Sequence, residues 1–271
     1  MEIIGEKING TRKRVAQAIA ERDADFVRDL ARRQTEAGAA WLDVNAGTPP
    51  QQEPDDLVWL VETVQAAVDT PLCIDSANPQ ALAAAITAVD RTPMINSISG
   101  EPARLESILP LVAEHGCSVI ALAMERKTIP DNSEERMAIV HKVMAATRAA
   151  GVPDQRVRID PLAMTIGSNV QSGPTFLATL RAVRAAYPEA RTTAGLSNIS
   201  YGLPARSFIN RAFLTLALEA GLDSAILDPL DRELRAALLA AQLVLGRDRH
   251  CLTYTRAYRA GLFDEPGTPA D

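Results

Sequence analysis

The chain has 271 residues, 47% of them apolar and 23% charged, with a formal net charge of −6. That length buries a large core, as one α/β barrel or two smaller domains, and the acidic balance lacks the basic footprint of general nucleic-acid binding while leaving room for a small anion held by a few local Arg or Lys. Apolar runs fall short of a membrane span, Met1-Glu2-Ile3-Ile4-Gly5 does not read as a signal peptide, and Cys73, Cys117, Cys251 and the histidines are too scattered for a disulfide framework or a metal site, so a cytoplasmic, metal-free protein is expected.

Residues 2–8 begin as a strand that ends in polar Asn9-Gly10, and a helix carrying Phe26, Leu30 and Ala31 stops at Gly38. A second strand, Ala40 to Asn45, ends in Ala46-Gly47 and is followed by a helix from about Asp55 to Val68. Pro71 to Asp75 is the third strand, with Asn78-Pro79 opening the next helix, and Pro93 to Asn96 is the fourth. A helix over Ala103–His115 ends at Gly116, and Ser118–Met124 is a continuous apolar strand of the buried type. After the polar loop Glu125–Glu135 comes a helix to Ala150, then the strand Arg156–Asp160, the long loop Pro161–Ser172 and the helix Pro174–Tyr187. Thr192-Thr193 runs through Ala194-Gly195 into a polar Ser-Asn tip, and Leu203 to Arg206 opens a helix through Leu218. Ser224–Leu227 is the eighth strand, ending in Asp228-Pro229, and an Ala/Leu-rich helix reaches Gly246. About eight strand–helix units in about 250 residues fit a closed (β/α)8 TIM barrel. An open doubly wound sheet is the rival, although no GxGxxG follows the first strand. One domain over residues 1–262 with a loose tail at 263–271 is expected.

Ligands of such a barrel sit at the C-terminal strand ends, which here carry Glu6, Asn9, Asp43, Asn45, Asp75, Asn96, Asp160, Asn198 and Asp228. Any single acid there reads equally as an N-cap for the next helix, and Asp228 before Pro229 fits that reading. Several on successive strands point further, because carboxylates crowded at one mouth repel unless a ligand or hydrogen bonds separate their roles. Carboxylates accept from N–H groups and amides both donate and accept. The rim therefore suits a flat heterocycle with an amino-pyrimidinone edge. A metal held by the Asp cluster is the other reading, with no His to join it. The stretch Gly195-Leu196-Ser197-Asn198-Ile199-Ser200-Tyr201-Gly202 allows close approach at Gly195 and offers donors and acceptors at Ser197 and Asn198. Taken alone it reads equally as a plain βα turn.

Six stretches in order resemble the pterin-binding methyltransferases: Gly5-Glu6-Lys7-Ile8-Asn9, Leu42-Asp43-Val44-Asn45-Ala46-Gly47, Cys73-Ile74-Asp75-Ser76, Ile95-Asn96-Ser97-Ile98-Ser99-Gly100-Glu101, Ile159-Asp160-Pro161-Leu162 and Gly195-Leu196-Ser197-Asn198-Ile199-Ser200. The family includes methyltetrahydrofolate:corrinoid/iron–sulfur protein methyltransferase and the folate domain of cobalamin-dependent methionine synthase. The resemblance implies a homodimeric TIM barrel that binds 5-methyltetrahydrofolate or tetrahydrofolate as substrate in its mouth and presents it to a separate corrinoid protein, which supplies the cobalamin. It implies that Asp75, Asn96 and Asp160 hold the pterin ring, that Asn198 hydrogen-bonds near the methyl-carrying N5, and that Gly195 and Ser197 line the same face. Tyr201, where many members carry another residue, and Arg206 lie nearby, Arg206 reading equally as a surface cation. Glu6, Asn9, Asp43 and Asn45 are further candidates for the same mouth. The Glu125–Glu135 loop, with Arg126 and Lys127, reads as a partner contact, a clamp on the folate tail or a solvated loop. No Asp-x-His-x-x-Gly corrinoid motif appears, consistent with a cobalamin that arrives on a partner. Dihydropteroate synthase is the alternative enzyme. It implies an Asn-rich first loop with Thr-Pro-Asp-Ser-Phe, a Lys beyond strand seven and an Arg-x-His at strand eight, where this chain has Glu6–Asn9, Ser197-Asn198 and Leu227-Asp228-Pro229. A non-catalytic folate-binding barrel is the remaining alternative, to which an amide at N5 contributes nothing.

Overall fold

The computed structural model describes residues 1–125 and 129–264. Along the chain run β1 (Glu2–Asn9), α1 (Lys13–Glu21), α2 (Ala24–Glu36), β2 (Trp41–Asn45), α3 (Glu53–Gln65), β3 (Leu72–Asp75), α4 (Pro79–Ala88), β4 (Met94–Ile98), α5 (Pro102–Glu114), β5 (Ser118–Leu122), α6 (Ser133–Ala149), β6 (Val157–Asp160), α7 (Ser172–Ala186), β7 (Arg191–Thr192), α8 (Arg206–Glu219), β8 (Ser224–Leu227), α9 (Arg232–Val244) and α10 (Leu252–Arg259). The strands are parallel, hydrogen-bonded in the order β7-β6-β5-β4-β3-β2-β1-β8. A doubly wound sheet would reverse its strand order at a switch point; here β1 pairs with β8 instead, as a barrel requires. β7 is short, so the ring closes through a bridge between Gly195 and Ile226, whose N–H donates to the Ala194 carbonyl at 2.8 Å.

Strand side chains alternate between two environments. Ile3, Leu42, Ile74, Ile95, Val119 and Ile159 belong to the large core beneath the helices. Ile4, Cys73, Met94 and Ile120 form a separate apolar layer inside the barrel, with Trp41, Leu122 and Ile226 against it. Two residues earlier on β1 and β8, the inward positions form a polar plug. The Arg158 guanidinium donates to Glu2 at 2.6 Å and to Ser224 Oγ at 3.0 Å, while Arg191 reaches Glu2 at 2.7 Å. Two residues later, the same parity brings Glu6, Asp43, Asp75 and Asn96 to the opposite end, and Asn45 follows two residues beyond Asp43. Ionic base, apolar middle and polar mouth thus follow from one period-2 pattern.

The predicted helix through Phe26, Leu30 and Ala31 is α2, and a separate helix, α1, precedes it. Arg22 adopts φ 55, and Asp23 caps α2 by accepting from the Phe26 N–H at 3.1 Å, so a capping side chain breaks a run that is otherwise periodic. The helix predicted from Leu203 starts at Arg206, behind Ala205 in the left-handed region, and the predicted strand Ser118–Met124 ends at Leu122. The ends of β1 and β2 run side by side with no room to spare. Gly10 donates to the Asn45 carbonyl at 2.8 Å, and a Cβ on Gly10 would lie 1.8 Å from the Ala46 oxygen.

Candidate active site

Two register shifts shape the barrel mouth. On β1 four residues, Gly5 to Ile8, oppose the three from Leu42 to Val44, and on β4 Asn96 to Ile98 oppose Ile120 to Ala121. Such bulges re-aim side chains at functional strand ends. After the first, Ile8 returns to the helix-facing core while Asn9 stands opposite Asn45. Within the bulge, Lys7 reaches across to Asp228 at 2.6 Å.

Amides and carboxylates interlock in the mouth. Asn96 Nδ2 donates to Asp43 Oδ1 at 3.1 Å, and Asn45 Nδ2 donates to Asp75 Oδ2 at 2.9 Å. Both amides turn their N–H groups toward an acid, which leaves their carbonyls for other donors; Asn45 Oδ1 is buried with no hydrogen-bond partner among the described residues. Burial pushes the Asp43 carboxyl well above its ordinary range, and the adjacent Asp75 charge pushes it further. Burial also raises Asp75, against the opposing hydrogen bond from Asn45 and the charge of Arg104. Asp160 is raised to about 6, again by burial, although main-chain N–H groups of Leu162 (2.7 Å) and Gly195 hold its charged form. Glu6 is raised by burial and opposed chiefly by Arg12, which pairs with it at 2.9 Å. Several desolvated carboxyls at one mouth gain most from a ligand that brings N–H donors, because such donors favour the charged form that burial penalises.

The Gly195 stretch lies beside these groups as a tight turn, with Leu196–Ser200 in one short 3-10 segment. Asn198 is exposed to solvent on it, and a Cβ on Gly195 would meet Asn198 Nδ2 at 2.9 Å, so the glycine leaves that amide room. Arg206 is not a free surface cation. It donates to the Ser197 carbonyl at 2.6 Å and to Ser200 Oγ at 3.0 Å, and Ser200 Oγ in turn bonds Asn210 at 2.7 Å. Ser197 thus presents a carbonyl already engaged by Arg206. Tyr201 stands on the rim, 69% exposed, with the Arg206 guanidinium 5.9 Å from its ring centre.

Some candidates serve locally. Asn9 Oδ1 accepts from the Thr11 N–H (3.0 Å) and hydroxyl (2.7 Å), stabilising its own loop. Asp228 is not the cap of the helix that follows. Asp231 caps α9 by accepting from Leu234 N–H at 2.9 Å, while Asp228 accepts from Leu230 N–H and pairs with Lys7. Arg126 and Lys127 lie outside the described residues. Two cations escape sequence reasoning. Arg104 ties the loop after β3 to the end of β4 by donating to the Ala77 (2.7 Å) and Ser97 (2.9 Å) carbonyls. Arg136, buried, donates to carbonyls in two mouth loops. Neither has a local signal: both sit in first helical turns, where a cation ordinarily faces solvent. Among the described residues no group of His, Cys, Asp or Glu is arranged to hold a metal ion, and no helix is long and apolar enough to cross a membrane.

The model of the pterin binding enzyme family matches residues 5–228. The methylcorrinoid:tetrahydrofolate methyltransferase of Eubacterium limosum is 39% identical over 263 residues, covering 96% of this chain and 97% of that protein. Methionine synthase of Mycobacterium tuberculosis is 30% identical over 237 residues, which are 83% of this chain and 20% of that longer protein. Among solved structures, Yersinia pestis dihydropteroate synthase with a pterine–sulfa conjugate superposes with a TM-score of 0.68 at 20% identity, covering 90% of this chain and 93% of that one, a likeness of fold.

Proposed function

We propose that this chain, which belongs to the pterin-binding enzyme family, is a methyltransferase that moves a methyl group between N5 of tetrahydrofolate and the cobalt of a corrinoid carried by a separate protein. The observation that carries this reading is the likeness, across nearly the full length of both chains, to a relative whose name states donor and acceptor: methylcorrinoid and tetrahydrofolate. The likeness to dihydropteroate synthase extends to the fold, and the Lys and Arg-x-His that enzyme implies are missing here.

In this reading Asp75 and Asp160 accept from the N–H groups along the amino-pyrimidinone edge of the ring, and Asn96, its N–H held by Asp43, offers a carbonyl. The ring's donors offset the desolvation that raises both acids, so burial that is unfavourable without ligand becomes specificity for it. Exposed Asn198 meets N5. In the direction the relative's name gives, the N5 lone pair forms the new N–C bond, the C–Co bond breaks with both electrons left on cobalt, and N5 releases its proton to solvent. The reverse direction needs that proton back, because an unprotonated amine is a poor leaving group. An amide has no titrating proton near neutrality, but it both donates and accepts. Asn198 therefore stabilises the changing N5 in either direction without being the acid. A transition-state hydrogen bond of this kind is worth about 2–4 kcal/mol.

The corrinoid approaches from the open side, over the strand C-termini. We also place the protein in the cytoplasm as a homodimer, for which the exposed Phe208, Leu216, Val244 and Tyr258 offer apolar surface on and beside α8–α10.

The test is spectral. A methylated corrinoid protein, or free methylcobalamin, is mixed with tetrahydrofolate and the enzyme under anaerobic conditions. Appearance of the Co(I) band in step with 5-methyltetrahydrofolate supports the reading. Tetrahydrofolate binding without transfer from either donor identifies a non-catalytic folate-binding barrel, and condensation of a pterin pyrophosphate with 4-aminobenzoate identifies a synthase.

A further inference from the structure

Arg136 lies in the first turn of α6, directly after Glu134 and Glu135, where a cation is expected to project into solvent. It is instead 2% exposed, among the largest fully buried side chains of the protein. Its guanidinium goes to main-chain carbonyls: Nε donates to Pro130 at 2.8 Å, and Nη1 donates to Pro161 at 2.7 Å and to Leu162 at 2.8 Å. Pro130 precedes α6, and Pro161-Leu162 follows β6, so one side chain ties together the loops beyond two adjacent strands. Asp160 and Asp131 act on it through space.

Leu162 adopts φ 68, a left-handed conformation that disfavours a side chain with a Cβ. The two carbonyls gripped by Nη1 belong to the peptides on either side of that residue. In the first of them, the Pro161–Leu162 peptide, the carbonyl points to Arg136 and the N–H points to Asp160 Oδ1 at 2.7 Å. A planar trans peptide directs its two groups in opposite senses. Holding the oxygen therefore aims the hydrogen.

We propose that Arg136 is a positioning residue for Asp160: by gripping the carbonyls that bracket Leu162, it holds that residue in its left-handed conformation and fixes the peptide N–H that orients the Asp160 carboxylate toward the ring. The inference rests on the proposed function only in taking the pterin ring as what Asp160 meets. Lysine would not replace it, because it lacks the planar fork that serves carbonyls in two loops at once.

The experiment is a double-mutant cycle on the full chain. Arg136→Met is made alone and with Leu162→Gly, glycine being free to adopt positive φ without a clamp. Tetrahydrofolate affinity is read by calorimetry, transfer rate at saturating folate by stopped flow, and folding by thermal melting. Arg136→Met is expected to raise the Kd about tenfold, as for one misaligned charge-assisted hydrogen bond, with a much smaller change in the saturated rate. In the Leu162→Gly background the same substitution is expected to cost at least fivefold less. Arg136→Lys, which keeps the charge, serves the same cycle where the Met variant does not fold, with the same pattern expected. An unchanged Kd in the folded variant overturns the inference, and so does a weakened Kd that glycine does not rescue. If the unaltered protein fails to bind tetrahydrofolate, the functional reading fails instead, a result that the control measures directly.

Discussion

Lowering the pH from 8 to 5 titrates the Asp160 carboxylate in the free protein, since burial has raised it to about 6. If the ring's N–H donors require the ionised form, the apparent Kd rises by the factor 1 + 10^(6−pH). That is about 1 at pH 8, about 2 at pH 6 and about 11 at pH 5, or about 1.4 kcal/mol in all. Asp75 is raised in the same direction, again chiefly by burial. Stability of the unliganded protein runs the opposite way. The folded pKa lies above the unfolded value, so the folded state holds more protons between about pH 4 and pH 6, and stability falls as pH rises through that window, by about 3 kcal/mol from this group alone. The assay is calorimetric titration with 5-methyltetrahydrofolate across pH, corrected for the ligand's own titration measured alone. Asp160→Asn keeps the shape and removes the charge. Its Kd at pH 8 is expected to rise about 10- to 100-fold, as for loss of a charge-assisted hydrogen bond, and its pH 5 to pH 8 ratio to fall about tenfold below that of the unaltered protein. Equal ratios in the two proteins would mean that another group sets this pH dependence.

Four further substitutions separate binding, chemistry and scaffold. Asn198→Ala is expected to lower kcat by roughly tens to a thousandfold while Asp75→Ala chiefly raises the folate Kd, and stopped-flow and titration data with those effects exchanged would contradict the division of labour. Gly10→Ala puts a methyl 1.8 Å from a carbonyl oxygen, an obstacle of backbone that cannot swing away. A loss of about 3 kcal/mol or more in urea unfolding is expected, and a near-neutral result would mean that the two strand ends do not approach so closely. Glu2→Ala leaves Arg158, 5% exposed, in the barrel base without its carboxylate. Chemical denaturation should register a loss of about 2–4 kcal/mol, with folate Kd unchanged because the apolar layer separates base from mouth.

The alternation of strand and helix was legible because parallel barrel strands are buried runs between Gly and Pro punctuation. Eight such runs have few ways to close. The acids and amides at the strand ends were legible for a related reason, since nothing in the barrel architecture itself calls for Asp43, Asp75 or Asp160 there. What the chain hid is whatever depends on the third dimension. The break between α1 and α2 turns on whether Asp23 caps a helix or sits within one, and both fit the periodicity. The bulges on β1 and β4 leave no local mark, so Lys7 gives no hint of its reach to Asp228. Arg206 and Arg136 look alike in sequence, each a cation in a first helical turn. Only the folded loops distinguish the one that secures the Asn198 turn from the one buried behind Asp160, and both from a solvated side chain.

The most direct measurement is a crystal structure of the protein with 5-methyltetrahydrofolate. The ring should lie across Asp75, Asn96 and Asp160 at the strand C-termini, with N5 within hydrogen-bond reach of Asn198 and its methyl group facing the open side. A ring bound elsewhere, or one placed with its methyl turned into the barrel, would contradict the account.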